Sequence, residues 1–309
     1  KFIFNKKPVK TDVKVLQELD NSISIKPTKE ESVTDKKYLL DKITDVPSQE
    51  FISATKISMF SQCPVKYELT YELGYPTILN VLKQFTKNLY DFNNKEDEEL
   101  SSYASVKGKI IHEVLKENFT IQDIDNVVNK YLAAENIVDD NGLNQLKANI
   151  KNDLSRFYNS NIYKKLSSFS NYKNEFEIYA EEGDNYLYGI IDKFIIEEDR
   201  LIVVDYKTDD IEISAIKKRA DDYFQQLTFY AYVLSKYYSV YNKFVLQIVF
   251  IKHPESIVTR EITLKDLENY RAILQNNIHK IQNRIFKPNL SHCSSCHFTL
   301  EGDKCIKPL

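Results

Sequence analysis

Glycine is scarce in this chain of 309 residues, and its six glycines are widely separated. No GxxxxGK phosphate-binding loop and no GxGxxG dinucleotide turn can be built from them. The sequence is therefore neither that of a complete ATPase nor that of a dehydrogenase of the dinucleotide-binding type.

Long apolar segments are also missing. The strongest apolar run, residues 244–251, is interrupted by Gln247 and stops far short of the roughly 18 residues that a membrane span needs. No series of charged, apolar and small residues at the amino terminus is typical of a signal peptide. We expect a cytoplasmic protein with no membrane partner.

Arginine and methionine are the other rare residues. Only six of the 42 basic residues are arginine, and the net charge is −3, which argues against a dense array of phosphate-gripping side chains. A nucleic-acid partner stays open, because local patches matter more than totals. The chain begins at Lys1 and its one methionine is Met59, so we expect a piece of a longer polypeptide.

The order of sequence patterns predicts an α/β protein. Residues 1–50 are polar and aperiodic, which indicates a linker or strap from an upstream domain. Residues 51–309 form the predicted domain. It has a mainly helical region at 51–165, a catalytic core of strands and helices at 170–286, and a cysteine-rich tail at 287–309.

Two carboxylates and a lysine form the most informative constellation. Asp192 lies on the first strand of a predicted hairpin, and Asp205 lies near the end of the next strand. Strand alternation points Asp205 and Lys207 to the same side of the sheet. Such a group can hold Mg²⁺ or Mn²⁺, and the ammonium can orient water and offset charge on a phosphate. Taken alone, the short motif also fits a solvated turn with an ion pair.

Neighbouring segments add further polar candidates. His112 lies near the start of a predicted helix and offers an imidazole ligand. Glu175 lies on an alternating acidic strand, where Glu177 shares its face and could take its place. Gln226 and Tyr230 are four residues apart on a helix and share one face. The alternative for Tyr230 is ordinary core packing.

Taken in order, these motifs resemble those of the RecB/AddA/AddB branch of the PD-(D/E)XK nuclease superfamily. The resemblance covers about residues 50–309 and implies a central mixed sheet flanked by helices. It implies these metal ligands: His112, Asp192, Asp205 and the carbonyl of Tyr206. It implies these catalytic residues: Asp192, Asp205, Lys207 and Glu175. It also implies that Gln226 and Tyr230 position DNA.

The same resemblance implies a function. The expected enzyme is a deoxyribonuclease that depends on Mg²⁺ or Mn²⁺ and cuts linear DNA with single-stranded ends. It would be the carboxy-terminal part of a bacterial helicase–nuclease in double-strand-break repair and recombination. A stand-alone exonuclease or a CRISPR-adaptation nuclease is one alternative. A degenerate scaffold that only binds DNA is another, which the intact Asp192, Asp205 and Lys207 disfavour.

The cysteines are too few for a disulfide scaffold, and their grouping indicates metal. They are Cys63, Cys293, Cys296 and Cys305. One early cysteine with three in the tail resembles the iron–sulfur staple of AddB-type nucleases, which implies a 4Fe–4S cluster that closes a long loop. The eight residues between Cys296 and Cys305 exceed the usual spacing. His292 and His297 flank the group, so a structural zinc site stays open.

Overall fold

The computed structural model describes residues 51–74, 95–133, 140–296, 298–300 and 304–305. The predicted linker at 1–50 lies outside these ranges, as does His297. No helix within the described ranges is long and apolar enough to cross a membrane.

Helices dominate the first half of the described chain. The helices are α1 (Ala54–Gln62), α2 (Pro64–Tyr67, continued by a π-helical turn at Glu68–Glu72), α3 (Lys95–Lys116), α4 (Ile124–Ala133), α5 (Asp140–Tyr158), α6 (Asn161–Ser167), α7 (Ile216–Tyr237) and α8 (Leu264–Gln282). Short 3₁₀ turns occupy Ile213–Ala215 and Leu290–Ser295. The Ser53 hydroxyl caps α1 by accepting a hydrogen bond from the backbone N–H of Lys56 (3.2 Å).

The strands form one large sheet and one small hairpin. They are β1 (Phe51–Ser53), β2 (Tyr172–Glu182), β3 (Asn185–Ile196), β4 (Leu201–Lys207), β5 (Lys243–Phe250), β6 (Val258–Thr263), β7 (Thr299–Leu300) and β8 (Lys304–Cys305). The region 51–165, predicted as helical, therefore starts with a strand. That strand is three residues long, too short to show an alternation of its own.

The large sheet has six strands and mixed directions, which confirms the predicted α/β class with a mixed sheet flanked by helices. Strand β3 pairs antiparallel with β2 along nearly its whole length. Its other edge is shared, because β1 pairs with residues 186–188 and β4 with residues 193–196. Strand β5 then runs parallel to β4, and β6 runs antiparallel to β5. The edge of β3 between β1 and β4 is thus a gap in the sheet.

Each face of the sheet carries its own buried core. The first core joins the sheet to α1, α7 and α8, with Ile57, Phe229 and Leu274 as examples. The second core joins the opposite face to α3, α4 and α5, with Ile111 and Leu154 as examples. Apolar side chains on both faces of the central strands explain their nearly continuous hydrophobic runs.

Strands β2 and β3 both lose their two-residue alternation at the same level. In β3, Ile191 and Phe194 are three residues apart, yet both pack in the first core. In β2, Phe176 packs against the first core and Tyr172 against the second, although both have even numbers. Glu175 lies between them with a φ of 45°, an uncommon conformation for a residue with a side chain. This irregularity lies beside the gap in the sheet and re-aims the side chains there.

Candidate active site

Three carboxylates lie in one row across the irregular part of the sheet. The registers of the flanking pairs place Glu175 opposite Asp192, and Asp192 opposite Asp205. Neither of these two pairs is a regular ladder pair. The row therefore coincides with the gap where β4 leaves β3, and helices on both faces can reach it.

His112 reaches the row from α3. Its Nδ1 atom lies 3.3 Å from Asp192 Oδ1 and 3.9 Å from Glu175 Oε1. One ligand atom from each of these three residues lies within 4.8 Å of the other two. The neighbours of His112 in sequence, Ile110 and Ile111, are buried in the second core and fix the helix against the sheet. The chain thus brings an imidazole and two carboxylates together from three separate elements.

Asp205 and Lys207 form a second contact in the row. Lys207 Nζ lies 2.6 Å from Asp205 Oδ2, and only 2% of Asp205 is exposed. Asp205 lies outside the compact group of His112, Glu175 and Asp192. Tyr206 follows Asp205 on β4 and links this strand to Asp192. Its backbone N–H donates a hydrogen bond to Asp192 Oδ2 (2.7 Å). The Tyr206 N–H thus holds the Asp192 carboxylate, and the role that the resemblance implies for the Tyr206 carbonyl stays a prediction.

Burial and crowding of like charges shape the electrostatics of the row. Burial raises the pKa of Glu175, and the charge of Asp192 raises it further. Burial likewise raises the pKa of Asp205, against the opposing effect of Lys207. Burial alone would lower the pKa of His112, but its hydrogen bond to Asp192 and that carboxylate's charge raise the pKa above its ordinary value. The row carries more negative charge than its own cations neutralise.

Helix α7 supplies a hydrogen-bonded pair from the opposite face. Gln226 Nε2 donates to the Tyr230 hydroxyl over 2.6 Å, and only 4% of Tyr230 is exposed. A Cβ at Gly189 would lie 2.5 Å from the Tyr230 ring, so glycine is needed for the ring to reach the row. The charges of Asp205, Asp192 and Glu175 all act on the phenol. Tyr230 is thus a core residue whose polar end borders the carboxylates.

Tyr223 contacts the site but was not predicted from sequence. Lys207 Nζ lies 4.3 Å from the centre of its ring, a cation–π contact. The Tyr223 hydroxyl donates to Asp209 Oδ1 (2.6 Å), which also accepts from Arg219 Nε (3.0 Å). Positions 223, 226 and 230 follow the three-and-four spacing of one helix face, and this spacing could have identified Tyr223.

The structure distinguishes the two acidic candidates of β2. Glu175 lies beside His112. Glu177 is exposed and pairs in register with Ile190, and its Oε2 accepts a hydrogen bond from the Tyr179 hydroxyl (2.8 Å). Because strand alternation is lost at Glu175, the side chains of Glu175 and Glu177 point in different directions. The sequence pattern alone did not show this difference.

The four cysteines converge on a second place. All four cysteines line one pocket: Cys63, Cys293, Cys296 and Cys305. The Asn289 amide donates to Cys63 Sγ (3.4 Å), and its side chain donates to the Gln62 carbonyl (2.8 Å), which ties the tail to the end of α1. His292 lines the same pocket, and burial together with the nearby Lys66 lowers the pKa of His292.

Comparison with known proteins identifies one family. The sequence profile of the PD-(D/E)XK nuclease superfamily matches residues 52–299. None of the curated proteins matches the chain.

Two solved structures are similar to the chain. One is a protein from Eubacterium rectale described as a candidate exonuclease, with 12% identity, a TM-score of 0.46 and coverage of 87% of this chain and 92% of that one. The other is SSO0001, with 17% identity, a TM-score of 0.30 and coverage of 62% of this chain and 93% of that one.

Proposed function

Because the chain belongs to the PD-(D/E)XK nuclease superfamily, we propose that it hydrolyses phosphodiester bonds of DNA with the help of Mg²⁺ or Mn²⁺. The observation that carries this proposal is the row of Glu175, Asp192 and Asp205, with His112 at one end and Lys207 at the other. The expected substrate is linear DNA with single-stranded ends.

The donor set of the row fits a hard divalent cation. Carboxylate oxygens and one imidazole are suitable ligands, and His112, Glu175 and Asp192 already lie within one coordination sphere of each other. The buried Asp205 Oδ2 has the Lys207 ammonium beside it but no hydrogen bond of regular geometry. When bound, such a cation supplies Lewis acidity and lowers the pKa of a bound water. We propose His112, Asp192 and Asp205 as ligands, with Glu175 beside them and the Tyr206 carbonyl as a further ligand.

Lys207 has the contacts that a catalytic ammonium needs. Burial lowers its pKa, but the charges of Asp205 and Asp192 outweigh burial and keep its pKa above the ordinary value. The side chain is 16% exposed and rests on the Tyr223 ring, so the ammonium is fixed rather than free in solvent. We propose that it orients the attacking water and stabilises negative charge on the phosphate.

Gln226 and Tyr230 are proposed to position DNA together. Tyr230 is buried, so its phenol reaches the substrate through the amide of Gln226, which is partly exposed. The hydrogen bond to Tyr230 fixes the Gln226 amide, and we propose that the rest of this amide contacts the DNA. Gln226→Ala should therefore lower turnover while Mn²⁺ affinity, measured by calorimetry, stays within a few-fold of the parent.

Cleavage of linear DNA with single-stranded ends tests the nuclease proposal. Asp205→Ala and Lys207→Ala should each lower the rate by about 100-fold or more, the usual effect of removing one preorganised charge. Asp199→Asn is the matched control, since its carboxylate is 69% exposed in the β3–β4 turn. The control should cleave like the parent, and chelation of divalent cations should stop all cleavage. Full cleavage by both site variants would place the active site elsewhere.

We further propose that the cysteine pocket holds a 4Fe–4S cluster, with structural zinc as the alternative. Four cysteines from two distant segments lining one pocket support this, and the group would tie α1 to the tail. Anaerobically purified protein should be brown and contain about four irons and four sulfides per chain. Cys63→Ala should bleach it and lower Tm. Colourless protein that contains one zinc per chain would overturn the iron–sulfur assignment and favour the structural zinc site.

The cellular setting is the remaining part of the proposal. We propose that the domain works in the cytoplasm with a helicase module, in cis or in trans, during double-strand-break repair and recombination. The alternatives are a stand-alone or CRISPR-adaptation nuclease and a degenerate DNA-binding scaffold. Helicase motifs in the reading frame upstream of Lys1 would favour the first.

A further inference from the structure

Four aromatic side chains lie on one face of the sheet, on β1, β2 and β3. They are Phe51, Tyr179, Tyr186 and Tyr188, called here the aromatic platform. Phe51 is 62% exposed and Tyr179 is 46% exposed. In the described part of the chain, none of the four belongs to a buried core. Tyr186 and Tyr188 are partly exposed, and a cluster of accessible aromatics of this kind marks a binding surface.

The rings of the platform are ordered in two pairs. Phe51 and Tyr186 are register partners of β1 and β3, and their rings stack at 5.7 Å with an interplanar angle of 27°. Tyr179 and Tyr188 are register partners of β2 and β3, with ring centres 5.0 Å apart and an angle of 34°. Register on a sheet whose opposite face is buried therefore holds the rings in place, and little further ordering is needed for binding.

The platform continues into the catalytic row along one strand. Tyr186, Tyr188 and Ile190 alternate with Leu187, Gly189 and Ile191, the last three being buried toward the first core. Asp192 is the next position of the outward series. Every second residue of a strand advances by roughly 6.6 Å, so the rings lead to the carboxylates in even steps. A nucleic-acid strand bound to these rings would therefore lie in line with the carboxylate row.

The charges around the platform favour contact with bases rather than phosphates. Glu177 and Glu181 are exposed on the same face of β2, on either side of Tyr179. Carboxylates repel a phosphate backbone, so a nucleic acid bound here would turn its bases, and not its phosphates, toward this face. Only a single strand has free base faces, and stacking on aromatic rings accepts every base, which suits a nuclease without sequence preference.

We propose that the aromatic platform binds the single-stranded part of the substrate by base stacking and feeds it to the carboxylate row. This inference rests on the proposed nuclease function, whose substrate it specifies. The platform supplies affinity for single strands, and the row supplies the chemistry. Its contribution does not depend on salt, because stacking releases no counterions.

Binding of a labelled oligothymidylate to the full chain in EDTA, followed by fluorescence anisotropy, tests the platform. Phe51→Ala, Tyr179→Ala and Tyr188→Ala should each weaken binding by about fivefold or more, the usual effect of losing one stacking ring. Tyr179→Phe keeps the ring and should bind like the parent. Tyr237→Ala is the matched control, since Tyr237 is 63% exposed at the far end of α7. The slope of affinity against salt should be the same in variants and parent.

The same proteins, assayed with Mn²⁺ on the same oligonucleotide, separate this inference from the proposed function. A parent that cleaves, with platform variants that bind like the parent, overturns the platform. A parent that binds through the platform but never cleaves overturns the nuclease proposal alone. Loss of self-association in the variants, with unchanged affinity for single strands, would make the face a contact between copies and overturn the inference.

Discussion

Two carboxylate sites lie at different points along the β2–β3 hairpin and have opposite electrostatics: Glu182 at the turn, and the row that Glu175 and Asp192 share with Asp205 of β4. At the turn, Glu182 is 4% exposed and is surrounded by donors. Burial alone would raise its pKa, but hydrogen bonds from Lys236, Tyr232, Arg271 and Gln275 outweigh burial and lower the pKa to about 2. In the carboxylate row, burial raises the pKa of Glu175 and Asp205, since their donors are too few.

This difference separates a carboxylate that the fold satisfies from carboxylates that we propose to bind a cation. Glu182 joins the hairpin to α7 and α8 and needs no further ligand. The row brings like charges together at a break in the sheet and leaves them short of positive charge. Crowded like charges lower the stability of the fold unless an interaction offsets their repulsion. A bound cation is the simplest interaction that would do so.

Replacing Glu182 should have the largest effect on stability. Glu182→Gln removes the charge that Lys236 and Arg271 face, so we expect a loss of about 2–3 kcal/mol at neutral pH. Urea unfolding followed by circular dichroism measures this loss. Cleavage per folded molecule should not change. A stability equal to the parent's would show that the four donors contribute nothing net.

Acid should remove the same contribution. The folded pKa of Glu182 is lowered from 4.5 to about 2, so its stabilisation is present above the unfolded pKa and is lost as pH falls through the folded one. Parent stability should therefore fall between about pH 5 and pH 2 more steeply than that of Glu182→Gln. Parallel slopes in this window would contradict the assignment.

Neutralising the row should have a small effect of opposite sign. In Glu175→Gln without divalent cations, one of the crowded charges is gone, so stability should rise by about 0.5 kcal/mol. The raised pKa of Glu175 gives the sign, because a carboxylate whose folded pKa is raised destabilises the fold once it is ionised. Cleavage should fall in the same variant. A clear loss of stability would mean that Glu175 is structural like Glu182.

Much of the carboxylate row was predictable because its residues lie in short local patterns. His112, Asp192, Asp205 and Lys207 stand beside apolar runs that fix their strands or helix, and alternation alone relates Asp205 to Lys207. The choice between Glu175 and its neighbour on β2 depends on a backbone irregularity that has no sequence signal of its own.

Other features depend on pairing between distant segments. Strand β1 is recognisable only beside β3, more than a hundred residues later. The donors of Glu182 come from α7 and α8, and nothing in the local sequence brings them to the hairpin. Helical spacing could have placed Tyr223 on the same face of α7 as Gln226 and Tyr230. Its contact with Lys207, however, depends on how α7 packs on the sheet.

Calorimetric titration of the cation-free protein with Mn²⁺ tests the contrast between the two carboxylate groups most directly. The parent and Glu182→Gln should bind Mn²⁺ equally, and their Tm should rise with its concentration, by mass action. Asp192→Asn should bind Mn²⁺ far more weakly and show no rise in Tm. Undiminished Mn²⁺ binding by Asp192→Asn would contradict the account, because the carboxylate row would then not be the cation site.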